Sequence, residues 1–316
     1  MEIILQILLM IAGFILLIKG ADWFVEGAAG VALKFNVPQL IIGLTIVAMG
    51  TSAPEAAISI TSALKGSAGI AVGNVLGSNI MNVLLILGIT AMITPLAIQR
   101  QTIKYEIPFM IGITAICGLL GLKDHELELV DGIILWILFL IYLGYLFIMA
   151  KHDPGDMDDV PEENTKPLLM RKLIALIIIG AGCIVFGSDL TVDAATNLAH
   201  MFGISDRVIG LTIVALGTSL PELVTCITAA AKHKADIAIG NIVGSNIFNI
   251  LFVLGTSALI TPIEYSSDFL MDTILCVLTA VLLLGCVFNK KQLLRRRGAI
   301  LMLAAYVGYY TFIILI

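Results

Sequence analysis

The chain carries two copies of one apolar motif, and each copy ends on a single acid. Ile41–Glu55 reads IIGLTIVAMGTSAPE and Val208–Glu222 reads VIGLTIVALGTSLPE; the copies lie 167 residues apart and agree at 12 of 15 positions. Neither motif contains Lys or Arg, so Glu55 and Glu222 have no neighbouring counter-charge in sequence. The setting is a membrane: 59% of the residues are hydrophobic and 13% charged, where a soluble domain averages roughly 45–50% and about 25%. A carboxylate inside a bilayer is costly, and by default it marks a functional site. Two of them at equivalent places of a duplicated chain point to a site for cations.

Hydropathy predicts ten apolar spans, at 3–21, 39–63, 70–95, 105–121, 131–150, 172–189, 207–231, 237–261, 270–288 and 299–316, each near the ~20 residues that cross a bilayer. Ile3–Ile18 lacks a basic leader and a clean cleavage site, so it reads as a retained first span rather than a signal peptide. With the N-terminus outside, 15 of the 18 basic residues fall in inside loops and only Lys65, Lys123 and Arg207 fall outside. That asymmetry favours ten spans with both termini outside.

The repeat reaches beyond the opening motif. At the same offset Asp22 matches Asp189, GNVLGSNIMN (73–82) matches GNIVGSNIFN (240–249), and Ile93-Thr94-Pro95 matches Ile260-Thr261-Pro262. Five spans per copy is an odd number, so the second copy enters from the opposite side. The expected fold is an all-α membrane protein with ten transmembrane helices in two inverted-topology five-helix repeats, 1–150 and 172–316. Secondary transporters are built this way, with the binding site near the midplane. A cytoplasmic linker, 151–171, joins the halves; its six acids between Asp153 and Glu163 lack EF-hand spacing and read as a solvated loop.

In GTSAPE, Pro54 has no N–H for the carbonyl of Gly50, so the helix should break there and free carbonyls near 47–50. Thr51, Ser52 and Glu55 add hydroxyl and carboxylate oxygens on the same turn; Thr218, Ser219 and Glu222 repeat them. In GNVLGSNIMN, Asn74, Ser78 and Asn82 form one polar stripe beside Gly73 and Gly77, and Asn241, Ser245 and Asn249 do the same beside Gly240 and Gly244. Every donor in this set is oxygen, the ligand of hard cations such as Ca2+ and Na+. Two ionised glutamates are balanced by one Ca2+, two Na+ or two protons. Helix capping by Thr51, Ser52, Thr218 and Ser219, and interhelical bonding by Asn74 and Asn241, are the competing structural readings.

The paired GTSxPE and GNxxGSNxxN motifs, repeated across both halves, resemble the α-repeats of the sodium/calcium exchanger family, prokaryotic members included. The resemblance implies Ca2+ binding by Glu55, Glu222, Thr51 and Thr218 with the carbonyls of Ala48 and Ala215. It also implies sodium sites formed with Ser52, Ser219, Ser78, Ser245, Asn82 and Asn249. Alternating access would follow, the first and sixth spans sliding over a fixed core in a prokaryotic plasma (inner) membrane. Potassium-dependent members carry an acid where this chain has Asn249, so K+ transport is not implied.

The expected function is therefore secondary antiport of Na+ and Ca2+. A proton-coupled Ca2+ exchanger of the same fold is the first alternative. An intramembrane hydrolase using the two glutamates as an acid–base pair is the second, against which stands the absence of an HExxH motif or a Ser–His pair. Neither a cofactor nor a nucleic-acid partner is expected, the lipid bilayer is the expected surrounding, and a monomer suffices. The five cysteines lie in apolar runs without a CxxC pair and read as small hydrophobes.

Overall fold

The computed structural model describes residues 2–35, 48–152, 169–231, 235–289 and 292–315. Residues 41–47 of the first motif, 153–168 of the linker, and Lys232, Lys234, Lys290 and Lys291 lie outside the described residues. The protein is helical throughout, with four two-residue strands at its ends.

Helices α1 (Glu2–Lys34) and α7 (Met170–Phe202) are each 33 residues long, well past the ends predicted at 21 and 189. Their polar last turns, with Lys34 and His200, are exposed or helix-capped rather than unwound, so hydropathy underestimated them. They run antiparallel, in contact along their length. Gly13 faces Gly187 and Thr191, Gly20 faces Gly180, and Gly27 faces Leu173. The seven-residue spacing keeps these glycines on one stripe, and missing side chains let the backbones approach closely. Ile4, Leu8, Ile15, Ile178 and Phe186 project outward and are exposed, as on a lipid-facing surface.

The first motif breaks at Ser52, between α2 (Ala48–Thr51) and α3 (Ala53–Leu64). The second breaks at Ser219, between α8 (Asp206–Thr218) and α9 (Leu220–Ala231), with a bend of 45°. The GNxxGSN motifs lie on α4 (Ala68–Ile93) and α10 (Ala238–Ile260), whose apolar stretches are 78% buried against 22% for α1 and α7. These two helices are the centre of the molecule. Each contains a wider π-helical turn, Asn82–Ile86 and Asn249–Leu254. The hydroxyls of Thr90 and Ser257, one repeat apart, donate to the carbonyls of Ile86 (2.6 Å) and Val253 (2.8 Å) in those turns. The main core joins both halves through residues such as Val75, Ile80 and Leu84 with Ile242, Ile247 and Leu251. A smaller core of Leu17, Ile58, Ile70, Val192 and Val214 seats α1 and α7 on it.

The remaining helices are α5 (Thr102–Asp124), α6 (Leu129–His152), α11 (Asp268–Val287) and α12 (Arg296–Leu315). Strand β1 (Leu96–Ala97) pairs antiparallel with β4 (Leu293–Leu294), and β2 (Glu126–Leu127) with β3 (Ile263–Glu264). Because α5 links β1 to β2 and α11 links β3 to β4, the two ribbons close opposite ends of the bundle. One end carries Arg100, Lys104 and Arg295–Arg297; the other carries Asp124, Glu126, Glu128, Glu264 and Asp268.

Seven helices among the described residues are long and apolar enough to cross a membrane, or eight if the bent pair α8–α9 counts as one span. The ten predicted spans are therefore met in part. The span predicted at 39–63 falls partly on undescribed residues, and the span at 299–316 corresponds to α12.

One buried ion pair escaped the sequence reading. Arg207, on α8, reaches Asp272 on α11 through two bonds, Nε to Oδ2 at 2.6 Å and Nη2 to Oδ1 at 3.0 Å. Asp272 is fully buried and the Arg207 side chain is 20% exposed. The pair has no counterpart in the first half, where Leu40 and Tyr105 stand at the equivalent positions.

Two outcomes follow for thermal unfolding in detergent. Asp272→Asn should cost about 3 kcal/mol by stranding the guanidinium, and the double change Arg207→Met/Asp272→Leu should cost less than either single change. Gly20→Val should cost roughly 1–3 kcal/mol by overpacking, because a Cβ there would lie 2.8 Å from the Gly180 carbonyl oxygen and 2.9 Å from the Ile184 nitrogen, both backbone.

Candidate cation site

The two helix breaks meet at the centre of the bundle, and each serves the other half. Ser52 precedes α3 but makes no capping bond with its side chain. Its hydroxyl donates instead to Glu222 Oε1 at 3.0 Å, with Ser245 Oγ 2.9 Å away. Ser245 donates to the same carboxylate oxygen at 3.4 Å. Across the site, Ser219 donates to Glu55 Oε1 at 3.2 Å. Capping therefore does not account for Ser52, whose proton is committed to a carboxylate of the opposite half.

The threonines sit one residue earlier. Thr218 donates to Asn74 Oδ1 at 3.1 Å and lies 3.4 Å from Ser78 Oγ. Thr51, half-buried, donates to Asn241 Oδ1 at 3.5 Å. Asn74 holds the chain around Glu55: its amide donates to the Glu55 carbonyl at 3.3 Å and to Ser59 Oγ at 2.9 Å. The interhelical reading of Asn74 thus describes its contacts. The Ala215 carbonyl is not free, although the sequence reading freed the carbonyls near the break: it accepts the ordinary helical bond from Ser219 N–H at 3.0 Å, with the Thr218 hydroxyl 3.2 Å away. Ala48 begins α2.

Asn79 and Asn246, which the sequence reading passed over, lock the two central helices together. Asn79 Nδ2 donates to the Asn246 carbonyl at 3.1 Å, and Asn246 Nδ2 to the Asn79 carbonyl at 3.0 Å. A backbone carbonyl can only accept, so both amides are fixed with their oxygens turned the other way. Those oxygens accept from Asn249 Nδ2 at 3.1 Å and Asn82 Nδ2 at 3.0 Å. The orientation of Asn82 and Asn249 is fixed in turn, leaving Oδ1 of each without a donor. Asn79 lies one residue off the i, i+4 stripe that drew attention to Asn74, Ser78 and Asn82. Its exact repetition at position 246 was the available signal.

Glu55, Glu222, Ser52, Asn82, Asn249 and Thr218 have no solvent-exposed surface. Among the described residues seven buried side-chain polar atoms lack a hydrogen-bond partner, and four of them are Glu55 Oε2, Glu222 Oε2, Asn82 Oδ1 and Asn249 Oδ1. Buried polar atoms are normally paired. Here the orphans are acceptors at equivalent positions of both halves, two of them on carboxylates. Those four acceptors fit a dehydrated hard cation. Among the described residues no three His, Cys, Asp or Glu side chains gather as a resident metal centre would require, so the local charge is that of two carboxylates.

Comparison with known proteins places this arrangement. The family model described as sodium/calcium exchanger protein matches twice, over residues 5–148 and 172–315. The inner membrane protein YrbG of Escherichia coli (strain K12) is 40% identical over 291 residues, covering 87% of each chain. The sodium/calcium exchanger MaX1 of Methanosarcina acetivorans is 30% identical over 341 residues, covering 95% of this chain and 96% of its own. The solved structure of the sodium-calcium exchanger NCX_Mj, soaked with 2.5 mM Na+ and 10 mM Sr2+, aligns with 96% of this chain and 97% of its own at 34% identity and a TM-score of 0.65. The chain is thus an integral membrane protein and belongs to the sodium/calcium exchanger protein family, a family of transporters rather than enzymes.

Proposed function

We propose that the protein is a secondary antiporter that exchanges Na+ for Ca2+ by alternating access, with the cations held between Glu55 and Glu222. The observation that carries this reading is the crossed pair of serine–glutamate bonds, which leaves one oxygen of each buried carboxylate without a donor. One Ca2+ neutralises the pair, and so do two Na+. Thr51, Thr218 and the glutamates form the calcium shell. The Ala48 and Ala215 carbonyls join it, Ala215 when the Ser219 N–H and Thr218 hydroxyl release it. Ser52, Ser219, Ser78, Ser245, Asn82 and Asn249 supply the sodium sites.

The architecture that supports this cycle is two inverted five-helix repeats, 1–150 and 172–316, joined by a cytoplasmic linker at 151–171, with ten spans and both termini outside in the plasma membrane. Reciprocal contacts between equivalent residues favour it, because a two-fold axis in the membrane plane gives both sides the same route to one site. The close glycine-lined contact between α1 and α7, with only a small apolar cluster seating the pair on the bundle, favours their sliding over the core as one unit. A monomer contains every residue of the site.

Three measurements test the reading. In proteoliposomes an outward Na+ gradient should drive uptake of radioactive Ca2+; uptake driven by a proton gradient without Na+ would replace sodium by protons as the coupling ion. Glu55→Gln should cut Ca2+ transport about 100-fold, the effect of removing one buried charge partner worth roughly 3 kcal/mol. Transport undiminished in that variant would remove the glutamate pair from the mechanism. Ca2+ and Na+ should each raise the thermal midpoint of the wild type in detergent and leave that of the Glu55→Gln/Glu222→Gln double variant unchanged.

A further inference from the structure

We infer that the seam between α11 and α12 holds an anionic phospholipid, its phosphate on Arg295 and Arg297 and one acyl chain along the groove toward Gly308. Two cavities lie in succession on this seam. The first, about 510 Å3, opens where α11 ends and α12 begins; Arg295 and Arg297 line it, with Cys286, Leu293 and Leu301 as apolar walls. The second, about 350 Å3, continues one helical turn further on, from Leu282 and Ala305 to Gly308 and Phe312, with Leu84 and Thr279 also lining it. The seam stays open because α12 leans on α4 rather than lying flush against α11: Gly88 of α4 is the residue that receives Leu303.

Charge selects the headgroup. Among the described residues no carboxylate pairs with Arg295, Arg296 or Arg297. The β1–β4 ribbon adds Arg100 and Lys104 to the same end of the bundle. The amino end of α12, a 20-residue helix, adds its positive dipole end to the same place. Arginine forks suit phosphate oxygens. Apolar surface selects a lipid over a soluble phosphate. Leu301, which lines the first cavity, has 52% of its surface exposed, and its chain neighbour Ile300 and Phe288 at the end of α11 are exposed apolar residues as well. From Arg297 to Gly308 the helix rises ~16 Å, which matches one leaflet of a ~30 Å hydrocarbon core. A Cβ at Gly308 would meet no heavy atom within 4 Å, so this stretch of the groove is open. The site is separate from the cation site and does not depend on the transport reading.

The test uses the full chain in neutral detergent, with thermal unfolding followed against added phosphatidylglycerol, phosphatidylcholine or inorganic phosphate. Phosphatidylglycerol should raise the midpoint of the wild type; phosphatidylcholine and inorganic phosphate at equal concentration should not. Arg295→Gln/Arg297→Gln should weaken the phosphatidylglycerol response about thirty-fold, since each surface arginine contributes about five-fold toward an anionic lipid. Gly308→Leu, which fills the groove without touching a charge, should weaken it while leaving the lipid-free midpoint in place, so the proposal stands or falls even if the arginine variant is unstable. Equal stabilisation by phosphatidylcholine, equal stabilisation by inorganic phosphate, or an unchanged phosphatidylglycerol response in both variants would each overturn it.

Discussion

Two carboxylates, Glu55 and Glu222, are fully buried at the centre of this molecule, and among the described residues no basic side chain pairs with either of them. Removing such a group from water carries an effective penalty of several kcal/mol even after relaxation. The structure offsets only part of it. Glu55 receives one serine hydroxyl and Glu222 two, in each case on one oxygen, and the other oxygen receives nothing. A protein selected only for stability would complete these shells or drop the charges. In the proposed exchanger the incomplete shell is what leaves those oxygens available to the transported cation. Much of the surrounding architecture serves to bring four helix segments near that point. Gly69, Gly73 and Gly77 let α4 lie against the backbone of residues 206–211, where a Cβ would come within 3.0 Å of the opposing chain. The asparagine lattice then stops α4 and α10 from drifting apart.

The two halves are alike in most contacts of the site. Ser52–Glu222 and Ser219–Glu55, the two asparagine–carbonyl bonds between Asn79 and Asn246, and Asn82–Asn246 and Asn249–Asn79 occur in reciprocal pairs. Ser245 reaches Glu222 whereas Ser78 lies against Thr218, and Asn74 holds the Glu55 carbonyl whereas Asn241 Nδ2 has no acceptor. Further out one ion pair departs from the repeat. Arg207–Asp272 pins α8 to α11 in the second half, while uncharged Leu40 and Tyr105 occupy the matching positions in the first. Lys65, at the end of α3, reaches Asp189 and Asp193 on α7, both at 2.8 Å; this contact follows the repeat in sequence, since Lys232, Asp22 and Glu26 stand at the matching positions, Lys232 lying outside the described residues. Such exposed pairs contribute little to stability.

How much of this was legible in the sequence depended on whether a residue obeyed the repeat. Glu55, Ser52 and Asn82 stood out because Glu222, Ser219 and Asn249 lie at one constant offset; the structure sets Ser52 and Ser219 on the glutamates of the opposite half and Asn82 and Asn249 on the Asn79–Asn246 lattice. The breaks at Ser52 and Ser219 followed from Pro54 and Pro221, whose missing N–H is a local fact. Asn79 was equally repeated but lay off the helical stripe being followed, and its partner is on another helix, which no local pattern shows. Asp272 satisfied the criterion that singled out Glu55, an acid in an apolar span, yet it lacks a repeated twin and went unremarked. The Ala215 carbonyl was legible by counting: Pro221 withholds its bond from Gly217, four residues back, so Ala215 keeps the ordinary helical bond from Ser219 N–H.

The neutrality of positions 82 and 249 has a consequence for how voltage would act on the proposed cycle. Amide oxygens ligate without adding charge, so the site carries the two carboxylates and nothing more. With Ca2+ bound it is neutral. With two sodium ions it is also neutral, and the cycle would not feel the membrane potential. With three it carries a single positive charge, and every bit of electrical work falls on the sodium-loaded limb, at about 2.3 kcal/mol per 100 mV for a charge crossing the whole field. An acid at either asparagine would shift each of these states by one unit and load the field onto the calcium limb instead. In the proposed exchanger, then, the choice of amide over carboxylate at two residues decides which half-cycle the potential drives.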